Sequence, residues 1–135
     1  MKKLTSILVI VLLATAGFAQ DAAKKTSPFE SWPELKAFHA VMSSTFHPSE
    51  EGNLEPIKTR ATEMREKASA LADSKIPADL DNEKVRAAVN KLKDNTVVME
   101  KMVADKKSDK EITEYLSVLH DTFHEIVGLC RNEPH

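Results

Sequence analysis

The last quarter of the chain carries an apolar residue at every third or fourth position, and this spacing limits the possible folds more than any other feature. Six residues follow it, separated by four, three, four, three and four positions: Ile112, Leu116, Leu119, Phe123, Ile126 and Cys130. Residues at this spacing lie on one face of an α-helix, whereas a half-buried strand alternates at every second residue. The segment from a capping box at 108–111 to about Arg131 is therefore predicted to be a helix with one buried face.

Three earlier segments show similar spacing and predict three more helices, over about 34–47, 54–72 and 82–105. Their apolar faces are Leu35, Phe38, Met42 and Phe46; then Ile57, Ala61, Met64, Ala68 and Leu71; then Val85, Val89, Leu92, Thr96, Met99 and Val103. The connections are short and no strand pattern occurs in the sequence. We therefore predict an all-α fold, an antiparallel up-down-up-down four-helix bundle over residues 34–135.

Pro48 and Asn53 mark where the first predicted helix ends and where the second begins. Pro48 is expected to end it, because the residue before a proline is pushed out of the α region. Asn53 is the expected N-cap of the next helix. Residues 20–33 contain two prolines and are predicted to form a flexible leader, with Phe29 and Trp32 packing on the end of the bundle.

The first residues have the pattern of a secretory signal peptide. Lys2 and Lys3 form a basic start, residues 4–13 are mostly apolar, and small residues lead up to Ala19. We predict that residues 1–19 are removed by cleavage after Ala19 and that the protein is periplasmic or secreted. The apolar stretch is too short to span a bilayer comfortably and no second one follows it, so no membrane insertion is expected after cleavage.

Length, charge and cysteine content narrow the class of protein further. Cleavage leaves 116 of the 135 residues, enough for one small domain, and loss of the two leader lysines moves the formal net charge from −2 to −4. A mildly acidic, mixed surface argues against binding to nucleic acid or to anionic membranes. Cys130 is the only cysteine, so no internal disulfide is expected, and its role as a core residue, free thiol or metal ligand stays open.

Four of the five histidines fall where the first and last predicted helices would meet. His120 and His124 are four residues apart, so they stand on one face of the last helix. If the two helices are antiparallel neighbours with equal rise per residue, His39 comes within half a turn of His124, and His47 within half a turn of His120. Imidazole nitrogens are common ligands of transition metals, so these four residues are the candidate metal ligands.

Patterns typical of enzymes are missing from the sequence. Ser43 lies near a histidine, but no strand-turn-helix elbow holds it, and with three glycines in all there is no glycine-rich phosphate loop. None of the four histidines has a Glu three residues before it, as the ligands of di-iron bundles do. No Cys-x-x-Cys-His segment for covalent haem attachment occurs. We therefore expect no enzymatic activity.

The chain resembles the cytochrome b562 family, small exported four-helix bundles that hold haem non-covalently. The resemblance rests on short segments of two helices: Ile57-Lys58 and Met64-Arg65 in the second, and Leu116-x-x-x-His120-x-x-Phe123-His124 in the last. It implies haem b ligated by His124, which matches the family's histidine in the last helix. The family's methionine ligand falls near His39, with Met42 one turn on, so either residue would be the second haem ligand. The additional His47 and His120 suggest a bare metal ion in place of haem.

Three functions follow from these patterns. The first is an exported protein that binds a transition-metal ion, Zn²⁺ or Cu²⁺, through its helix-borne histidines. The second is a cytochrome b562-like haem protein for electron transfer. The third is a metal-free bundle that binds a partner protein, whose identity the sequence does not indicate.

Overall fold

The structure, a computed structural model, describes residues 26–132, and this part of the chain is all-helical. The helices are α1 (Pro28–Ser31), α2 (Pro33–Glu50), α3 (Glu55–Asp73), α4 (Glu83–Ala104) and α5 (Asp109–Asn132). No strand occurs among the described residues. The predicted all-α class is thus confirmed, and α2 to α5 correspond to the four helices predicted from the sequence. The predicted signal peptide, residues 1–19, lies outside the described residues.

The apolar faces predicted from the sequence form the core. Every predicted residue of the α3 and α5 faces is buried, from Ile57 to Leu71 and from Ile112 to Cys130. In α2 and α4 the last residue of each predicted face, Phe46 and Val103, is only partly buried. Full burial of one Leu or Ile side chain contributes about 1.5–3 kcal/mol, so these faces supply most of the stabilisation of the fold.

Side chains cap two helices, of which the capping box at 108–111 is the one predicted from the sequence. The expected N-cap Asn53 is wrong, because Leu54 holds that position in α3 and Asn53 Oδ1 accepts the Glu55 N–H at 3.1 Å from one residue further out. Asn82 precedes α4, and its Oδ1 accepts a hydrogen bond from the Val85 backbone N–H at 2.9 Å. At the start of α5 the Ser108 N–H donates to Glu111 Oε2 at 3.0 Å, while the Glu111 N–H donates to Ser108 Oγ at 3.3 Å. This reciprocal pair is a capping box, and it satisfies two N–H groups that lack partners within the helix.

The end of α2 differs from the prediction. Pro48 lies inside the helix, which continues to Glu50, so the expected stop at this proline is wrong. Pro48 sits in the last turn, where its carbonyl accepts the N–H groups of Glu51 at 3.1 Å and Asn53 at 2.9 Å. The missing N–H of proline therefore costs only one helical bond, and the longer helix keeps His47 and Glu50 one turn apart.

Residues just before α2, placed in a leader by the sequence, pack against the other helices, as expected for Phe29 and Trp32. Trp32 is fully buried, and its Nε1–H donates to Ser74 Oγ at 2.8 Å, which ties the start of α2 to the end of α3. Phe29 in α1 packs against Phe123 with ring centroids 6.3 Å apart. A tryptophan buries a large apolar area and needs a partner for its N–H, and both conditions are met here.

The packing of the helices brings α2 and α5 together. Each of α2, α3 and α4 packs against the next helix, α2 also contacts α5, and α1 lies against both α2 and α5. Phe38 in α2 lies 5.6 Å from Phe123, and Phe46 lies 3.7 Å from His120, measured between ring centroids. Residue numbers thus rise along α2 while they fall along α5, so the two helices run in opposite directions. No helix within residues 26–132 is long and apolar enough to cross a membrane.

Candidate functional site

A cleft of about 210 Å³ between α2 and α5 contains all four histidines singled out from the sequence. Its lining consists of His39, Met42, Ser43, His47, His120, Phe123 and His124. The histidines come from two helices that run in opposite directions, which is why residues eighty positions apart in the chain meet here. The four candidate metal ligands therefore share one cleft.

The closest pair in the cleft is formed within α5. The Nε2 atoms of His120 and His124 are 3.1 Å apart, and the rings meet edge to face with centroids 4.4 Å apart. The four-residue spacing places one ring above the other on the same helix face. At this distance one neutral imidazole donates its N–H and the other accepts it, so both nitrogens point to the same small volume.

His120 is held by an aromatic neighbour and partly removed from water. Its ring is stacked on Phe46 with centroids 3.7 Å apart and planes inclined by 6°. Burial lowers the pKa of His120 from its ordinary value, and a protonated His124 lowers it further, while the carboxylates of Asp121 and Glu50 oppose this shift. His120 therefore stays neutral, the form that binds metals, to a lower pH than an ordinary histidine.

His39 is exposed, and its ring contacts two aromatic rings that also contact each other. Its centroid lies 4.9 Å from that of Phe29 and 5.5 Å from that of Phe123, and the second contact is a parallel stack inclined by 13°. Stacking of this kind fixes the plane of the imidazole. His39 thus lines the cleft with its ring orientation set by packing.

His47 takes a different partner. Its Nδ1 lies 3.0 Å from Oε2 of Glu50, and both side chains are more than half exposed, at 65% and 57%. The ring also meets the edge of Phe46, with centroids 5.8 Å apart. His47 is thus held by one hydrogen bond and one edge contact, both at the protein surface.

The remaining residues of the cleft are part of the core or its border. Met42 is only 1% exposed and Phe123 only 2%, so their contributions to the lining are small areas of buried side chains. Cys130 is buried on the same apolar face of α5 and does not line the cleft. The sulfur ligands that the sequence offers are therefore placed for packing.

The structure brings two of the candidate ligands into direct contact and directs the other two elsewhere. Within residues 26–132, no group of three or more His, Cys, Asp or Glu side chains is arranged to hold a metal ion. His120 and His124 face each other, His39 contacts Phe29 and Phe123, and His47 faces Glu50. A third nitrogen would reach the pair only if one of the last two side chains changed its rotamer.

Sequence reasoning missed the groups that surround the histidines. Phe46 appears there only as a member of an apolar face, and Phe123 as that and as part of a sequence segment, although each is directly beside a histidine in the sequence. Glu50 was missed because Pro48 was expected to end the helix, which removed the three-residue relation between His47 and Glu50. The pattern His-x-x-Glu at the end of a helix is the signal that could have found it.

Comparison of the chain with family models, with curated proteins and with solved structures found no match in any of the three. The likeness to the cytochrome b562 family therefore stays a prediction from the sequence. The function has to be argued from the cleft itself.

Proposed function

We propose that the protein binds a transition-metal ion, Zn²⁺ or Cu²⁺, at the His120–His124 pair. The observation that carries this proposal is the 3.1 Å separation of the two Nε2 atoms. With metal–nitrogen bonds of about 2.0–2.1 Å, nitrogens at that separation subtend roughly 100° at an ion placed between them. This angle lies between those of square and tetrahedral coordination, so both rings can bind one ion with little movement.

The size of the cleft supports an ion in preference to haem. At about 210 Å³ it is smaller than the ~300–1,000 Å³ of typical pockets for organic ligands. Haem ligation by Met42 would also require exposure of a side chain that is 1% exposed. A single ion needs neither change, and imidazole ligands suit both zinc and copper.

We also infer that α2 to α5 form the up-down-up-down bundle expected from the sequence, which would make α5 a rigid base for the histidine pair. Ion pairs between neighbouring helices support this arrangement. Arg65 Nε lies 2.5 Å from Glu100 Oε2 across α3 and α4, and Lys91 Nζ lies 3.3 Å from Glu125 Oε2 across α4 and α5. Two ligands on a rigid helix lose little freedom on binding.

The proposal places the site in an exported protein, on the basis of the leader pattern in residues 1–19. Measurement of the intact mass of the protein recovered outside the cytoplasm tests this point. We expect a chain that begins at Gln20. A mass that includes residues 1–19 contradicts export by cleavage.

The decisive experiment titrates metal-stripped protein with Zn²⁺ and Cu²⁺ and records both binding heat and thermal unfolding. Binding to the folded state raises Tm, and His120→Ala and His124→Ala should each remove most of that rise. Cys130→Ser is the control and should keep the rise. If both histidine variants bind like the parent, the proposal is wrong. A Soret band on addition of haemin, lost in His124→Ala, would favour the haem alternative.

A further inference from the structure

We propose that His47 is the third ligand of this site, that it binds through Nε2, and that Glu50 is the carboxylate that orients it. This inference rests on the proposed metal binding at His120 and His124. It separates His47 from His39, which the sequence treats as equivalent candidates.

The hydrogen bond between His47 and Glu50 determines which nitrogen is available. An ionised carboxylate only accepts hydrogen bonds, so Nδ1 of His47, at 3.0 Å from Glu50 Oε2, carries the proton. In the neutral ring the lone pair is then on Nε2. Histidines that bind metals commonly donate their other N–H to a carboxylate in this way, which sets the tautomer and increases the basicity of the ligand.

His47 and Glu50 lie near His120. Phe46, the neighbour of His47 in the chain, is stacked directly on His120, and His47 and His120 line the same cleft. Glu50 Oε2 is held 3.0 Å from His47 Nδ1, so the carboxylate lies beside a residue that lines the cleft. A negative carboxylate at this position also offsets the charge of a bound cation.

The two candidates for the third ligand differ in their freedom to move. His47 and Glu50 are both more than half exposed, and a change of the His47 rotamer disturbs only its edge contact with Phe46, at 5.8 Å between centroids. His39 contacts two rings, Phe29 at 4.9 Å and Phe123 at 5.5 Å between centroids, so turning its ring would break both contacts. His47, which is exposed and has the Glu50 carboxylate beside it, is therefore the third metal ligand.

The test compares matched variants by Zn²⁺ titration of the metal-stripped, full-length mature protein. His47→Ala should raise the Kd by at least about tenfold, and Glu50→Ala by about 10–100-fold, as for other carboxylates that orient ligands. His39→Ala and Glu51→Ala are the controls and should change the Kd by less than about threefold. Glu51 is exposed, and Glu51→Ala removes the same charge one residue further along the chain. It therefore distinguishes the loss of an orienting hydrogen bond from the loss of a negative charge.

A second readout detects the tautomer without metal. In ¹⁵N-resolved NMR of the metal-free parent, His47 should be protonated mainly at Nδ1 when neutral, and Glu50→Ala should shift it towards protonation at Nε2. Glu50→Gln should restore much of the parent tautomer, because its amide oxygen still accepts from Nδ1–H. If His120→Ala and His124→Ala abolish binding while His47→Ala and Glu50→Ala do not weaken it, this inference is overturned and the proposed function stands. If none of the variants changes binding, both fail.

Discussion

At the scale of single residues, the half-buried His120 has the most constrained chemistry. Burial lowers the pKa of His120, whose ring is stacked on Phe46, and His124 faces it at 3.1 Å. The same environment that keeps the ring neutral makes the folded state sensitive to acid. A histidine whose pKa is lower in the folded chain than in the unfolded chain binds protons more readily when unfolded. Protonation therefore favours unfolding once the pH falls below the pKa of the unfolded chain.

We predict that the metal-free protein loses stability as the pH falls below about 6.5, where a histidine in the unfolded chain takes up a proton. The loss should continue until the pH reaches the lowered pKa of folded His120. His120→Phe keeps a ring against Phe46 and removes this titration. Urea unfolding at several pH values should therefore show that the free energy of unfolding depends less on pH in the variant than in the parent. The same pH dependence in both proteins contradicts the prediction.

A second prediction at this scale concerns Trp32, whose indole is fully buried and hydrogen-bonded to Ser74. Trp32→Phe should destabilise the fold by about 1–3 kcal/mol, because it leaves unfilled space and removes the donor. Combining it with Ser74→Ala in a double-mutant cycle should give a coupling of about 1 kcal/mol. Additive losses in urea unfolding would show that the hydrogen bond contributes nothing.

At the scale of helices, the ends are determined by different kinds of contact. α4 and α5 begin at side chains that satisfy their first N–H groups, Asn82 and the Ser108–Glu111 box. α2 continues past Pro48 because its last turn is held by backbone bonds to Glu51 and Asn53. A proline in a last turn removes one bond, so it does not have to end the helix.

We predict that Ser108→Ala destabilises the protein by about 0.5–2 kcal/mol through loss of the capping box. Ser117→Ala is a matched control, since Ser117 lies exposed in the middle of α5, where alanine favours the helix. Thermal unfolding should show a lower Tm for the first variant and an equal or higher Tm for the second. Equal values for both variants would show that the box does not stabilise α5.

At the scale of the whole molecule, one core joins α2 to α5, and a small aromatic cluster closes it beside the cleft. Phe38 and Phe123 pack with centroids 5.6 Å apart, and Phe29 covers Phe123 from α1. Only three large apolar side chains of the described residues are strongly exposed, Val97, Val98 and Val118. The cleft borders this aromatic cluster, because Phe123 belongs to both.

Leu116 and Val118 test which face of α5 is buried in the core. Leu116 is fully buried and Val118 is 46% exposed. Leu116→Ala should cost about 2–5 kcal/mol, whereas Val118→Ala should change stability by less than about 0.5 kcal/mol. Urea unfolding of both variants measures the difference. Comparable losses would mean that α5 is packed on a different face from the one described.

The sequence alone determined which face of each helix is buried and where α4 and α5 begin. These features depend on residues within one or two turns of each other: the spacing of residues such as Leu116 and Leu119, or the reach of Ser108 to Glu111. Local hydrogen bonds and a period of 3.6 residues can be recognised without knowledge of the rest of the chain. For the same reason, the pairing of His120 with His124 could be anticipated from their spacing.

Tertiary structure decided the partners of the other histidines and the limits of the fold before α3. His39 is stacked on Phe123 and His47 faces Glu50 because helix register and rotamers select among several contacts that the sequence allows equally. The packing of Trp32 was expected from the sequence, but its partner was not: its N–H donates to Ser74, forty-two positions away. Such contacts depend on the positions of elements that are distant in the chain, and no local pattern records them.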